Sequence, residues 1–247
     1  MKKKRKDKIK KIKKKEENIK KISFNEYELN ELKYEKALIY DERTYIQIYW
    51  SFLKQKQLIL FSFYPNNDFN SQTIKICLFF LSFLLFLAIN ALFFNDSTMH
   101  KIYIDRGEYN FVYQLPQILY STIISSFINF LIKYLSLTEK IFINIKNHKT
   151  TKIKKDILLL QIKLIVFFII SYILLFFICY YLSCFCYVYK NTQIILLKDA
   201  LISFGLSLLY PFGLCLIPAI FRILSLKSEE KDKKLLYRFS NLINLII

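Results

Sequence analysis

Few residues in this chain have the chemistry to act on anything, and they fall in two places. Asp96, His100, Asp105 and Glu108 lie within thirteen residues of one another. Carboxylates and imidazole suit many divalent cations, but this spacing matches no metal-binding signature. Four polar residues in a wet loop are the ordinary alternative. His100 and His148 are the only histidines, so a multi-histidine site within one chain is excluded.

The second place is a stripe. Thr122, Ser125, Ser126 and Asn129 recur at i, i+3, i+4 and i+7, and Lys133 continues the same helical face. Lipid would leave those groups unsatisfied, so the stripe must face protein or water. It has two readings: helix packing, with small hydroxyl residues allowing close approach, and the lining of a polar pathway. Asn90 and the group Ser203, Gly205 and Ser207 are candidates for the opposing surfaces.

Catalytic chemistry has little to stand on. The chain contains no G-x-S-x-G elbow, P-loop or H-E-x-x-H, and its 3 glycines could not build a dinucleotide loop. No catalytic residue, cofactor or metal is assigned, and the expectation is that the protein is not an enzyme. Cys77, Cys179, Cys184, Cys186 and Cys215 match no zinc spacing and read as small buried hydrophobes. Asn95-Asp-Ser97 is a weak glycosylation acceptor, set hard against an apolar run where an enzyme would struggle to reach it.

The elements that must position these residues are written in the charge pattern. Hydrophobic residues make up 54% of 247, yet the formal net charge is +18. Ile76 to Phe94, Leu164 to Tyr189 and Ala200 to Phe221 contain no charged residue, and Leu115 to Leu137 contains only Lys133. A helix needs about 20 apolar residues to cross a ~30 Å hydrocarbon core, so the pattern predicts four spans: 76–94, 115–137, 164–189 and 200–221. Pro211, Gly213 and Pro218 predict a kink in the fourth, which a membrane bundle tolerates where neighbours satisfy the freed backbone groups. The first span starts too far into the chain for a cleaved signal peptide.

Orientation follows from the connections. Residues 1–21 hold 13 Lys and Arg against 3 acids, 138–163 hold seven Lys, and 222–247 hold six Lys and Arg. The two other connections, 95–114 and 190–199, hold two each. Positive charge concentrates in cytoplasmic loops, so four crossings with both termini cytoplasmic satisfy every segment. The fold class expected is all-α: a polytopic helical bundle with a cytoplasmic N-terminal helical or interfacial segment.

Four regions result: a Lys-rich tail over 1–21, expected to be disordered; a cytoplasmic or interfacial helical segment over 22–75; the four-span domain over 76–221; and a basic cytoplasmic tail over 222–247. The Lys run reads either as a clamp on anionic lipid headgroups or as a solvated tail that enforces topology. Its charge would also attract nucleic acid, but a membrane-tethered chain with no nucleic-acid fold disfavours that. In the second region Ser23 and Glu26 stand at capping-box spacing. The mixture of Trp50, Lys54, Lys56 and aromatics that follows suits a membrane-hugging hairpin or a small hairpin packed on the bundle.

The most idiosyncratic stretches are Asn90-Ala-Leu-Phe-Phe-Asn-Asp-Ser-Thr-Met-His-Lys-Ile-Tyr103, Tyr109-Asn-Phe-Val-Tyr-Gln-Leu-Pro-Gln-Ile-Leu-Tyr-Ser121 and Leu135-Ser-Leu-Thr-Glu139. With Asn191-Thr-Gln193 and Tyr210-Pro-Phe-Gly213, the region from Tyr27 to Arg222 resembles a multi-pass membrane module at the C-terminal end of large surface proteins of unicellular eukaryotes. The resemblance carries no activity and no site residues. It implies that a large extracellular or luminal portion belongs with such a module, and that the chain is then a fragment of a longer protein.

Together these readings make the protein a membrane anchor or assembly module, whose partners are the lipid bilayer and, through its spans, further copies or other chains. The alternative is a small channel or transporter subunit built around the stripe on span two.

Overall fold

The computed structural model describes residues 24–65, 68–147, 150–227 and 234–246. The Lys run over 1–21, Ser23 and His148 lie outside the described residues. Within them the chain is all-helical, with twelve helices and no strand. Four stretches are long and apolar enough to cross a membrane: Gln72–Leu92, Phe111–Ile143, Ile153–Val188 and Gln193–Lys227.

The chain divides into two compact units. The first gathers the N-terminal helices up to Lys56 with the chain from Pro211 onward. It holds α1 (Glu26–Glu31), α2 (Tyr34–Tyr40), α3 (Tyr45–Lys56), α11 (Leu216–Lys227) and α12 (Lys234–Ile246). The start of α1 is a capping box, at the spacing read for Ser23 and Glu26 but two residues further along the chain, on Asn25 and Glu28. Asn25 accepts from the Glu28 amide at 2.8 Å, and the Glu28 carboxylate accepts from the Asn25 amide at 3.0 Å. Two amides that have no partner inside the helix are thereby satisfied.

At the far end of α1 the orphaned carbonyls meet a cation. Arg222 of α11 donates to the carbonyls of Leu29 and Asn30, to the Asp41 carboxylate at 3.1 Å and to the Tyr237 hydroxyl at 3.0 Å. Its side chain is fully buried. A cation at a helix C-terminus opposes the negative end of the helix dipole, so one residue closes α1 and joins the N-terminal helices to α11 and α12. Tyr237 donates onward to the Leu32 carbonyl at 2.7 Å, and Tyr34, Ala37 and Tyr237 form a small apolar cluster beside it.

The second unit holds α4 (Leu58–Phe63), α5 (Gln72–Leu92), α6 (Asp96–Ile104), α7 (Phe111–Ser136), α8 (Glu139–Asn147), α9 (Thr150–Val188) and most of α10 (Gln193–Leu214). Leu78, Leu81, Leu85 and Ile89 of α5 pack with Ile132 of α7 and with Phe167 and Ile178 of α9. Phe204 of α10 meets Phe79, Phe83 and Phe86 edge-on at 5.5 to 5.6 Å. These are the offset and T-shaped contacts that aromatic quadrupoles favour. Cys215 is buried as expected, but Cys77, Cys179, Cys184 and Cys186 are exposed rather than buried, because they lie on outward faces of α5 and α9.

Helix lengths refine the expected spans. α9 starts fourteen residues before the third span and runs 39 residues, roughly 58 Å at 1.5 Å per residue, so its Lys-bearing start extends beyond any single hydrocarbon core. The kink expected from Pro211, Gly213 and Pro218 is a break: α10 stops at Leu214, Cys215 stands between helices, and α11 starts at Leu216. Pro218 falls in the first turn of α11, where a missing N–H is not needed, and its carbonyl accepts from Ser240 of α12 at 2.7 Å.

The connection between α5 and α7 is ordered by local chemistry. Asn95 caps α6, its side-chain oxygen accepting from the Thr98 amide at 2.9 Å and the Ser97 hydroxyl at 2.6 Å. α6 ends with Arg106 at φ 54° and Gly107 at φ 81°. Their amides return to the carbonyls of Tyr103 and Ile102 in a Schellman closure.

Candidate functional site

The buried polar face of α7 differs from the stripe read in the sequence. Its inaccessible residues are Gln114, Gln117, Ser121, Ser125 and Ser136, at i, i+3, i+7, i+11 and i+22. Of the expected set only Ser125 is fully buried. Thr122, Ser126, Asn129 and Lys133 are half-buried. The Thr122 hydroxyl turns back to the Ile118 carbonyl of its own helix at 2.6 Å, which satisfies it without a neighbour. Lys133 lies with its ammonium 4.4 Å from the centre of the Phe61 ring, a cation–π arrangement.

Where α5, α7 and α10 meet, three polar side chains close on one another. Ser121 donates to the Asn90 side-chain oxygen at 2.8 Å, Ser203 approaches the same oxygen at 3.2 Å, and the two hydroxyls are 3.1 Å apart. The Asn90 amide donates to the Phe86 carbonyl at 2.8 Å. All three residues are fully buried. Asn90 and Ser203 are candidates read from the sequence, and the structure brings them together. Gly205 and Ser207 do not join them: Ser207 bonds to the Phe204 carbonyl at 2.6 Å, and the position a side chain would take at Gly205 faces open space.

One helical turn nearer the α6 connection lies an acidic counterpart. Asp199, fully buried, accepts from the Tyr109 hydroxyl at 2.6 Å and from the Gln117 amide at 3.2 Å. Burial and the Asp199 carboxylate raise the Tyr109 phenol well above its usual range. The phenol therefore stays a donor throughout the physiological range. The Lys198 ammonium lies over the Tyr109 ring, 5.2 Å from its centre. Gln114, a turn before Gln117, keeps its side-chain oxygen buried with no protein partner, as do the hydroxyls of Ser125 and Ser126.

Asp199, Tyr109, Gln117 and Ser121 escaped the sequence reading for an identifiable reason. Asp199 sits just outside the charge-free run that defined span four and so counted as a loop residue. Gln114, Gln117, Ser121 and Ser125 do recur at helical spacing, but the denser hydroxyl run that starts at Thr122 overlaps them and masks which face is buried.

The acidic loop residues do not assemble. Asp105 pairs with Lys101 at 2.8 Å, and that lysine holds its carboxyl below the usual range. Among the described residues no three His, Cys, Asp or Glu side chains are placed to hold a metal ion. The other end of the second unit is basic: Lys75 and Lys133 both lie over Phe61, and Lys163 donates to the Leu137 carbonyl that ends α7. Compared with known proteins, the chain matches no family model, no curated protein and no solved structure.

Proposed function

We propose that the protein is an integral multi-pass membrane anchor or assembly module, without catalytic chemistry, that presents α9 to lipid or to neighbouring chains. The observation that carries this is the contrast between the polar and apolar parts of the second unit. Asn90, Ser121 and Ser203 bond to one another across three helices, which is packing. Only 11% of the most apolar window of Ile153–Val188 is buried, leaving Phe168, Tyr172, Phe176 and Tyr180 outward at 52% to 72% exposure. Water would not tolerate a face of that size, whereas hydrocarbon or a partner helix would.

An orientation with both termini cytoplasmic accords with the basic end formed by Lys75, Lys133 and Lys163. The resemblance to the membrane modules of large surface proteins agrees with an anchoring role, and anionic headgroups are the natural partner of the N-terminal Lys run. A second reading, a small channel or transport subunit, draws on Ser125 and Gln114, whose buried oxygens lack protein partners on one face of α7. Purified protein in liposomes separates the two. Silence across cations and anions supports the anchor; flux abolished by Ser125→Leu, with the fold intact, overturns it.

A further inference from the structure

The last described helix has an unusual outward face. Tyr237 and Ser240 of α12 are buried against the first unit, and Phe239 lies edge-on to Phe221 of α11 at 5.2 Å. On the opposite arc Leu235, Leu242 and Leu245 are 79%, 54% and 59% exposed, with Phe239 at its edge 47% exposed. Lys234 and Arg238 share that arc and are also exposed. Residues 234–246 contain no acid. A helix facing water places polar residues outward; this one places leucines there, edged by cations.

We propose that α12 is an interfacial helix that docks on an anionic bilayer surface, its Leu235–Leu245 stripe entering the headgroup boundary and Lys234 and Arg238 reaching the lipid phosphates. Two observations favour lipid over a protein partner. α12 pairs with α11 more extensively than any other two helices meet among the described residues. α11 itself belongs to a stretch apolar enough to span a membrane, Gln193–Lys227, and exposes Leu216, Ile217, Ile220 and Leu224. The stripe is therefore held beside a segment that is itself suited to hydrocarbon. Its charge is also of the sign that anionic lipid attracts, at about 1 kcal/mol per Lys or Arg near the surface. Interfacial helices combine these features, with the apolar face sunk about 5–10 Å into the headgroup and acyl boundary. Lys234 also pairs with Glu35 at 2.7 Å, which leaves Arg238 as the clearer headgroup ligand.

The inference rests on the membrane reading above, and its test separates the two. The full chain carries Trp50→Phe, so that a new tryptophan is the only one, with Leu242→Trp as reporter and Leu235→Trp as a second. It is reconstituted in phosphatidylcholine vesicles with and without phosphatidylserine, the acyl chains brominated near the carbonyl. Expected is blue-shifted emission quenched by the brominated lipid, more strongly with phosphatidylserine. Arg238→Gln lowers the docked-to-undocked ratio about fivefold in the anionic vesicles and leaves neutral ones unchanged. About 1 M salt, where the screening length is ~3 Å, removes the anionic advantage.

Red-shifted emission open to aqueous quenchers at both positions overturns the proposal. So does blue-shifted emission that ignores brominated lipid and grows with protein density, which would identify a second copy as the occupant. Phe176→Trp on α9 is the control for the membrane reading. If it is quenched while positions 235 and 242 are not, α12 docking fails alone; if none is quenched, both fail.

Discussion

Arg222 and Asn90 are equally inaccessible, each with no exposed surface, yet the groups around them differ in kind. Arg222 is surrounded by charge and dipole: the Asp41 carboxylate, two helix-end carbonyls, a phenol and the rings of Phe52 and Tyr237. Asn90 meets two hydroxyls and a carbonyl, all neutral. The first unit thus fastens distant parts of the chain through a buried ion, whose desolvation has to be offset by several simultaneous bonds. The second fastens three apolar helices through bonds that need no counter-charge. Charge-rich burial is strong and intolerant of losing one partner; neutral burial is weak and graded.

The largest way to break this comparison is Arg222→Met. Removing one member of a buried ion pair costs about 3–5 kcal/mol, because Asp41 loses one of its two cations and the α1 carbonyls lose their donor. Trp50 lies in α3 and is the only tryptophan, so its fluorescence reports the first unit directly. Denaturant titration should show that unit unfolding early. If Trp50 melts unchanged, the node does not hold the unit together.

Acid should weaken the same node without mutation. Burial raises the Asp41 carboxyl, but the hydrogen bond and charge of Arg43 and then the charge of Arg222 outweigh it, so its net position is below the usual carboxylate range. A depressed folded-state value means that stability is fully present above the unfolded value of about 4 and is lost as pH falls through the lower folded one. Trp50-monitored stability should therefore drop below about pH 4, while Asp41→Asn flattens that part of the profile. An acid slope unaffected by Asp41→Asn would remove Asp41 from the account.

Much of this arrangement could be read in the sequence, and what could not is instructive. Four helices long and apolar enough to cross a membrane stand where the sequence has four long apolar stretches, since a bilayer imposes a minimum length that composition reveals. The interruption at Cys215 was legible because Pro211, Gly213 and Pro218, which lie on either side of it, all weaken a helix. The roles of Arg222 and Asp199 were not. Each is a charged residue at the rim of an apolar run, where counting assigns it to a solvated tail or loop, and only tertiary contact shows its partners at Asp41 or Tyr109. The stripe on α7 was found but rotated: Ser125 lies on the buried face, while Thr122 satisfies itself within the helix. Hydroxyl residues carry little facing information for that reason.

The neutral junction should respond more gently. Asn90→Leu removes the acceptor shared by Ser121 and Ser203 and should cost about 1–3 kcal/mol, the range for leaving buried polar groups unmatched. Refolding equilibria in mixed micelles measure this, with α9 helicity as the control for global loss.

The smallest effect decides whether the junction is a network or a coincidence of rotamers. Ser203→Ala and Ser121→Ala each remove one hydroxyl, and interhelical bonds between such groups average only about 0.6 kcal/mol in membrane bundles, reaching about 1.7. Because both serines address the same Asn90 oxygen, losing one lets the other tighten its bond. The double variant should then be destabilised by more than the sum of the two single variants. That sign is opposite to what a simple pairwise Ser121–Ser203 contact would give, since there the first deletion already spends the interaction. A double-mutant cycle of zero would mean that the two hydroxyls act independently, and the junction would be ordinary close packing between small side chains.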